Sequence, residues 1–167
     1  MMAGCALFDR SDEPPKPEDS PRVSLRFHLA IDQETEGYDA AKDEGGRPLY
    51  VAPSSFLTER DVWNATVYAS ERRYLIELEF TPGGALHLQW ATEDHVGQRL
   101  AIYVDDELVM TPIVPAPITQ GRLFLDGEFS KRRAEKLAGA LNAQRGLFGP
   151  LGPEEEQGDG SADHRTP

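Results

Sequence analysis

The chain is short of the groups that perform covalent and metal chemistry. Its single cysteine, Cys5, allows no internal disulfide and no cysteine-based metal site. No apolar run approaches the ~20 residues that a membrane-spanning helix needs. Positive charge is scarce, with 17 Lys and Arg against 29 Asp and Glu. The sequence shows no basic stripe, so the acidic surface argues against nucleic acid as a partner. There is no G-x-S-x-G nucleophile motif, and neither Gly45-Gly46 nor Gly83-Gly84 stands in a phosphate-loop pattern. The four histidines, His28, His87, His95 and His164, are expected to be exposed. His87 and His95 lie eight residues apart on one predicted helix, too far to share a metal without other ligands. No cofactor is expected.

Half of the net charge of −12 sits at the two ends. Residues 1–22 carry five acids against three bases, and residues 146–167 five against one. Residues 9–22 contain four prolines and almost no apolar side chain, a composition that cannot offset chain entropy by burial. The expected organisation is a disordered tether over 1–22, one folded domain over 23–145 and a disordered acidic tail over 146–167. Met2-Ala3-Gly4-Cys5 resembles the end of a bacterial lipoprotein signal, in which small residues precede a cysteine that becomes lipidated. The apolar run that belongs upstream is absent from the sequence. Cys5 is thus either a lipidation site, with the polar segment after it holding a domain off a membrane, or an ordinary terminal residue of a cytoplasmic chain. An in-frame apolar stretch of ~10 residues upstream of Met1, preceded by basic residues, decides between the two.

The folded part reads as α+β, a largely antiparallel (mixed) sheet with helices packed on one face. Val23, Leu25, Phe27, Leu29 and Ile31 alternate with polar residues, the pattern of a half-buried strand. Residues 32–47 read as an exposed loop, and Leu49-Tyr50-Val51 as a short strand ending before Pro53. FLTERDVWNA predicts a short helix opened by a Thr58/Asp61 capping box, with Val62 and Ala65 inward. Residues 66–70 and 74–80 predict two strands around a Glu71-Arg72 turn. Thr81 stands at an N-cap with Pro82 at the first helical position, and Gly97 closes that helix. A tight hairpin follows around Asp105-Asp106. A last strand then runs into a helix capped by Ser130, with Ala134, Leu137, Ala138 and Leu141 on one stripe. Such alternation, with charged outward positions, argues against a doubly wound parallel sheet.

Carboxylate pairs are common, but Asp105-Asp106, Glu77/Glu79 and Glu93-Asp94 fall in a turn, on a strand face and at a helix end. Acid–base work requires unlike environments that separate two pKa values, and these positions supply none. Asp32, Glu34, Glu36, Asp39, Asp43 and Glu44 lack the spacing of a calcium loop. Asn64-Ala65-Thr66 matches a glycosylation sequon, a tripeptide common by chance. The distinctive stretch is Met110-Thr111-Pro112-Ile113-Val114-Pro115-Ala116-Pro117-Ile118. Three prolines deny it regular ladder donors, which places it at a sheet edge or crossover. Met110, Ile113, Val114 and Ile118 either plug the core or form an apolar rim where an extended peptide adds a strand, flanked by the helix that bears Trp90.

Phe80-Thr81-Pro82-Gly83-Gly84-Ala85 resembles the F-T-x-x-G-A segment of the head subdomain in the first periplasmic domain of SecD and SecDF. The likeness continues through Thr92, Val96-Gly97-Gln98-Arg99-Leu100-Ala101-Ile102, Val104-Asp105-Asp106, and Pro112-Ile113-Val114 with Ile118. It ends on Gly127-Glu128-Phe129-Ser130 with Ala134 and Leu137-Ala138. It is clear over about half the chain and fainter over residues 49–65. The members that drive export carry transmembrane helices and a second periplasmic domain, neither of which is in the sequence, and the family's hairpin glycine is Asp106. The resemblance implies a non-enzymatic head-like domain of the bacterial periplasm or cell envelope, contacting unfolded or extended polypeptide or an envelope protein and touching a membrane only through a lipid anchor. Two other readings stay open: a structural or assembly module, and an enzyme with an unrecognised carboxylate site.

Overall fold

The computed structural model describes residues 22–70 and 73–145. The expected tether apart from Arg22, the expected tail, Cys5, His164 and the Glu71-Arg72 turn lie outside the described residues. The eight strands are β1 (Leu25–Ile31), β2 (Asp39–Lys42), β3 (Pro48–Thr58), β4 (Val62–Ser70), β5 (Arg73–Phe80), β6 (Arg99–Val104), β7 (Glu107–Met110) and β8 (Arg122–Phe129). The helices are α1 (Pro82–Glu93) and α2 (Lys131–Arg145). The fold is α+β, with every strand pairing antiparallel. The strands divide into a sheet of order β2-β3-β1-β6-β7 and a second of order β4-β5-β8. Side chains of both enclose a shared core, in which Phe27 packs between Phe56 and Phe80 at centroid distances of 6.3 and 5.7 Å, and Ala30, Leu49, Val51 and Ala101 form a smaller cluster in the larger sheet. No helix among the described residues is long and apolar enough to cross a membrane.

Three local expectations change. Residues 39–42 pair with β3, because four residues of ladder suffice at a sheet edge even where the side chains stay exposed. β3 runs through Pro53, since its register with β1 slips between Ala30↔Val51 and His28↔Ser55 and the proline falls in that irregularity, where no ladder donor is needed. The helix expected within residues 56–65 is a single 3-10 turn, Glu59–Asp61. Its capping box forms as read, but the β-branched and aromatic residues Val62 and Trp63 then enter β4.

The slip in β3 also accounts for His28, which is 8% exposed rather than on a solvent face. Its Nδ1 donates to the Ala52 carbonyl at 2.8 Å and its ring meets Tyr103 edge-on. A buried carbonyl that the ladder leaves out is satisfied by a side chain. His95 likewise lies beyond the end of α1, bonded to the Ala91 carbonyl.

Both helices are placed by their ends. Thr81 Oγ1 accepts from the Gly84 N–H at 3.1 Å, and the Thr81 N–H donates to the Asp61 carbonyl at 2.8 Å, setting α1 on the 3-10 turn. On α2, Ser130 Oγ accepts from the Arg133 N–H, and the predicted stripe is buried. Two amides of α2 also act as strand partners. Asn142 bonds the N–H and C=O of Ala65, both at 2.9 Å, and Gln144 bonds those of Val23. At Ala65 the outer edge of β4 is thereby bonded to a helix.

The contact at Gly84 leaves no room for a methyl group, since a Cβ there would stand 2.9 Å from the Asp61 Cβ and carbonyl oxygen. At Gly83 the same atom would meet open space. Gly84→Ala should therefore lower stability by about 1–3 kcal/mol, overpacking outweighing the propensity gain. Gly83→Ala should be neutral or stabilising by up to ~1 kcal/mol. Urea unfolding of both variants checks this, and equal behaviour would contradict the close approach of α1 to the turn.

Candidate functional site

The segment between β7 and β8 is held by whichever groups its prolines leave available. Leu100 N–H donates to the Pro112 carbonyl at 2.9 Å. Val114 N–H donates to the Gln98 carbonyl and the Val114 carbonyl accepts from Gly97 N–H, both at 2.8 Å. These bonds, with an antiparallel bridge between Arg99 and Ile113, lay the crossover along the residues that lead into β6. Its start is fixed by Glu44, whose carboxylate accepts from the Thr111 N–H at 2.5 Å and the Thr111 hydroxyl at 2.6 Å. Arg99 reaches the Thr111 carbonyl at 3.1 Å and pairs with Asp32 at 2.9 Å. Its end is fixed by Thr92, buried on α1, whose Oγ1 donates to the Leu88 carbonyl and accepts from the Ile118 N–H at 2.9 Å. Gly121, at φ 62°, then turns the chain into β8 with its α-carbon against Ala85 of α1.

Between this crossover and the first half of β8 lies a concave surface of about 420 Å³. Met110, Ile113, Val114 and Ile118 all line it, together with Leu123 and Phe124 of β8. Their parts differ. Val114 is 1% exposed and belongs to the core, whereas Ile113 and Phe124 are about half exposed, at 55% and 50%. Trp90 does not join them. It stands on α1 with Leu86, on the face turned away from the buried Gly84, Leu88 and Thr92, and its ring neighbours His87 at 6.1 Å.

One wall of the surface is β8, the last strand of its sheet. No strand among the described residues pairs with its other edge. β7 passes beside it without a ladder. The two edges of the small sheet therefore differ: α2 bonds β4 at Ala65, and no strand among the described residues pairs with the outer edge of β8. Sequence reading missed β8 as part of the site, because Leu123, Leu125 and Phe129 alternate like any half-buried strand and reveal nothing about which edge is free.

The charged groups near this surface are spoken for. Arg122 pairs with Glu79 at 3.1 Å and stands 3.6 Å from Glu77. Glu77 is 8% exposed, not on an open strand face, and accepts from the Tyr68 hydroxyl at 2.9 Å, which raises the tyrosine's pKa above its ordinary value. Asn64 donates to Thr66 and Glu79 within β4 and β5. Asp43 is the other buried carboxylate, and it sits in the larger sheet's β2–β3 turn. No three His, Cys, Asp or Glu side chains among the described residues gather as a metal site. On α2, Lys131, Arg132, Arg133 and Lys136 are exposed, with Glu135 beside Lys131 and Glu107 paired with Arg133.

Asp43 shapes the turn that carries Glu44. Its carboxylate accepts from the N–H of Gly45 and of Arg47, each at 2.9 Å, and pairs with the Arg47 guanidinium at 2.7 Å. The Arg47 N–H bond, then the guanidinium, hold its pKa below the usual carboxylate value against the opposing effect of burial. Its stabilising contribution is present above an unfolded pKa of about 3.9 and is lost as pH falls through the lower folded value. Asp43→Asn should destabilise the fold at pH 7, with the gap from the unsubstituted protein closing below about pH 4. Thermal unfolding against pH checks this, and a gap that widens in acid would contradict it.

Comparison with known proteins places this arrangement in context. The family model described as SecDF, P1 head subdomain matches residues 35–145. The chain is 26% identical over 124 residues to the protein translocase subunit SecD of Magnetococcus marinus, covering 72% of this chain and 24% of that protein. It is 30% identical over 122 residues to the protein translocase subunit SecDF of Thermus thermophilus, covering 72% and 16%. It thus spans about a quarter or less of these relatives. Among solved structures, SecDF, a membrane component that enhances protein export, superposes with a TM-score of 0.59 at 22% identity, covering 74% of this chain and 64% of that one. SecDF in its super-membrane-facing form gives the same score and identity, covering 19% of that chain. These structures share the fold.

Proposed function

Because the chain belongs to the SecDF P1 head subdomain family, we propose that its concave surface takes an extended stretch of polypeptide, in a non-catalytic role linked to protein export in the bacterial cell envelope. The observation that carries this reading is an apolar groove walled by a proline-held crossover and by β8, whose outer edge no strand among the described residues pairs with. An extended segment offers what such an edge lacks, a row of backbone donors and acceptors, while its alternate side chains enter the groove. Ile113 and Phe124 are the contacts proposed to matter most, being large, apolar and half exposed in the described structure. Met110 and Ile118 shape the floor, and Val114 supports it from the core. An enzymatic role has little to build on, since the two buried carboxylates, Asp43 and Glu77, lie in different sheets and each has a cationic neighbour.

A second reading rests on α1, where Leu86 and Trp90 are 49% and 56% exposed one helical turn apart. Such an apolar helix face suits docking to an envelope protein, as in an assembly module, and places Trp90 in that contact rather than in the groove.

A permanently unfolded protein, reduced and carboxymethylated α-lactalbumin, separates the readings when titrated against the chain by fluorescence anisotropy. Ile113→Asp and Phe124→Asp should each weaken binding by about tenfold, roughly 1.4 kcal/mol, with little change in Tm. Leu86→Asp and Trp90→Asp should leave binding unchanged. The reverse pattern would transfer the role to α1, and no binding by the unsubstituted chain would overturn the groove reading.

A further inference from the structure

Thr111 is buried, and its N–H, hydroxyl and carbonyl are all held by side chains from elsewhere in the chain. Glu44 accepts from the N–H at 2.5 Å and from the hydroxyl at 2.6 Å, and Arg99 donates to the carbonyl at 3.1 Å. The start of the crossover thus rests on two side chains. Glu44 comes from the far side of its sheet. It stands in the turn between β2 and β3, at one edge of the order β2-β3-β1-β6-β7, whereas Thr111 follows β7 at the other edge. The hairpin spans that distance by curling over the face turned away from the shared core, where Ala41 and Leu49 join one cluster with Ala101, Tyr103 and Leu108 of β6 and β7. Glu44 also lines a cleft of about 540 Å³ with Val109 of β7 and with Asp126 and Gly127 of β8. Its carboxylate therefore stands beside the gap that continues from the groove along β8.

We propose that the β2–β3 hairpin is a clasp and Glu44 its positioning residue: by holding Thr111 it keeps the crossover standing off β8 at the spacing an extended polypeptide needs. The role rests on the groove reading above and adds what sets the groove's width. With Glu44 in place the wall is preformed, and binding does not have to order it. Without Glu44 the buried Thr111 N–H loses its acceptor, and the crossover shifts until that donor finds another. Arg99 alone then holds the anchor, through the Thr111 carbonyl.

Amide exchange in the free full chain and titration with reduced, carboxymethylated α-lactalbumin test the clasp and its role separately. In Glu44→Ala, exchange at Val114 and Ile118 should quicken about tenfold, although their own acceptors, Gln98 and Thr92, are untouched. Affinity for the unfolded protein should fall about fivefold, as the wall must now be ordered on binding. Glu44→Gln keeps a side-chain carbonyl for the Thr111 N–H and should recover most of both. Asn142→Ala strips two backbone bonds from β4, at the opposite edge of the small sheet from β8, and should change neither readout. Unchanged exchange at Val114 and Ile118 in Glu44→Ala would overturn the clasp and leave the groove reading standing. So would an equal effect of Asn142→Ala, which would mark a general loss of stability. Faster exchange with undiminished binding would overturn the positioning role. No binding by the unsubstituted chain would overturn the groove reading, and the positioning role with it.

Discussion

Pro112, Pro115 and Pro117 have no N–H to donate, and the course of the chain from β7 to β8 follows from where the remaining donors can go. Thr111 turns its N–H to Glu44, Val114 to Gln98, and Ile118 to Thr92. Each of these partners lies on a different part of the molecule: the β2–β3 turn, the approach to β6, and α1. A regular strand here would have continued the edge of the larger sheet and closed it against β8. The prolines prevent that ladder, so the crossover stands off β8 and leaves an apolar concavity between the two sheets.

The same constraint explains why so many polar residues point inward. Thr92, Asp43, Thr111 and Gln144 are buried; the side chains of Thr92, Asp43 and Gln144 bond backbone groups, and the Thr111 hydroxyl donates to the Glu44 carboxylate. A buried polar atom without a partner costs about 1–3 kcal/mol, so these residues are held in place by what their loss would expose. None of them sits in an arrangement suited to transferring a proton or a group. The polar interior of this domain is structural, and it supports the placement of one groove.

Much of this was legible in the residues. The Thr81-Pro82 cap, the Asp105-Asp106 hairpin, the α2 stripe and the edge position of the proline segment are all local signals, and local structure follows them. The capping box at Thr58 formed but opened only a 3-10 turn, because strand residues follow immediately and tertiary pairing with β5 outweighs a short helix. His28 and Glu77 could not be read as buried, since a period-2 pattern assigns a face and cannot anticipate a register slip or a neighbouring tyrosine. Met110, Ile113, Val114 and Ile118, close in sequence, line one concave surface, whereas Trp90 lies outside its lining, on a side of α1 that depends on how the whole helix packs.

The central claim is that the gap between the crossover and β8 receives extended polypeptide. Amide hydrogen exchange across the whole domain, with and without saturating unfolded α-lactalbumin, tests it most directly. Strand addition predicts that slowed exchange appears at the outward-facing amides of β8 and extends to residues 110–118, since a new ladder protects the edge it forms on. Protection confined to residues 86–93 of α1, or none at β8, would contradict the account.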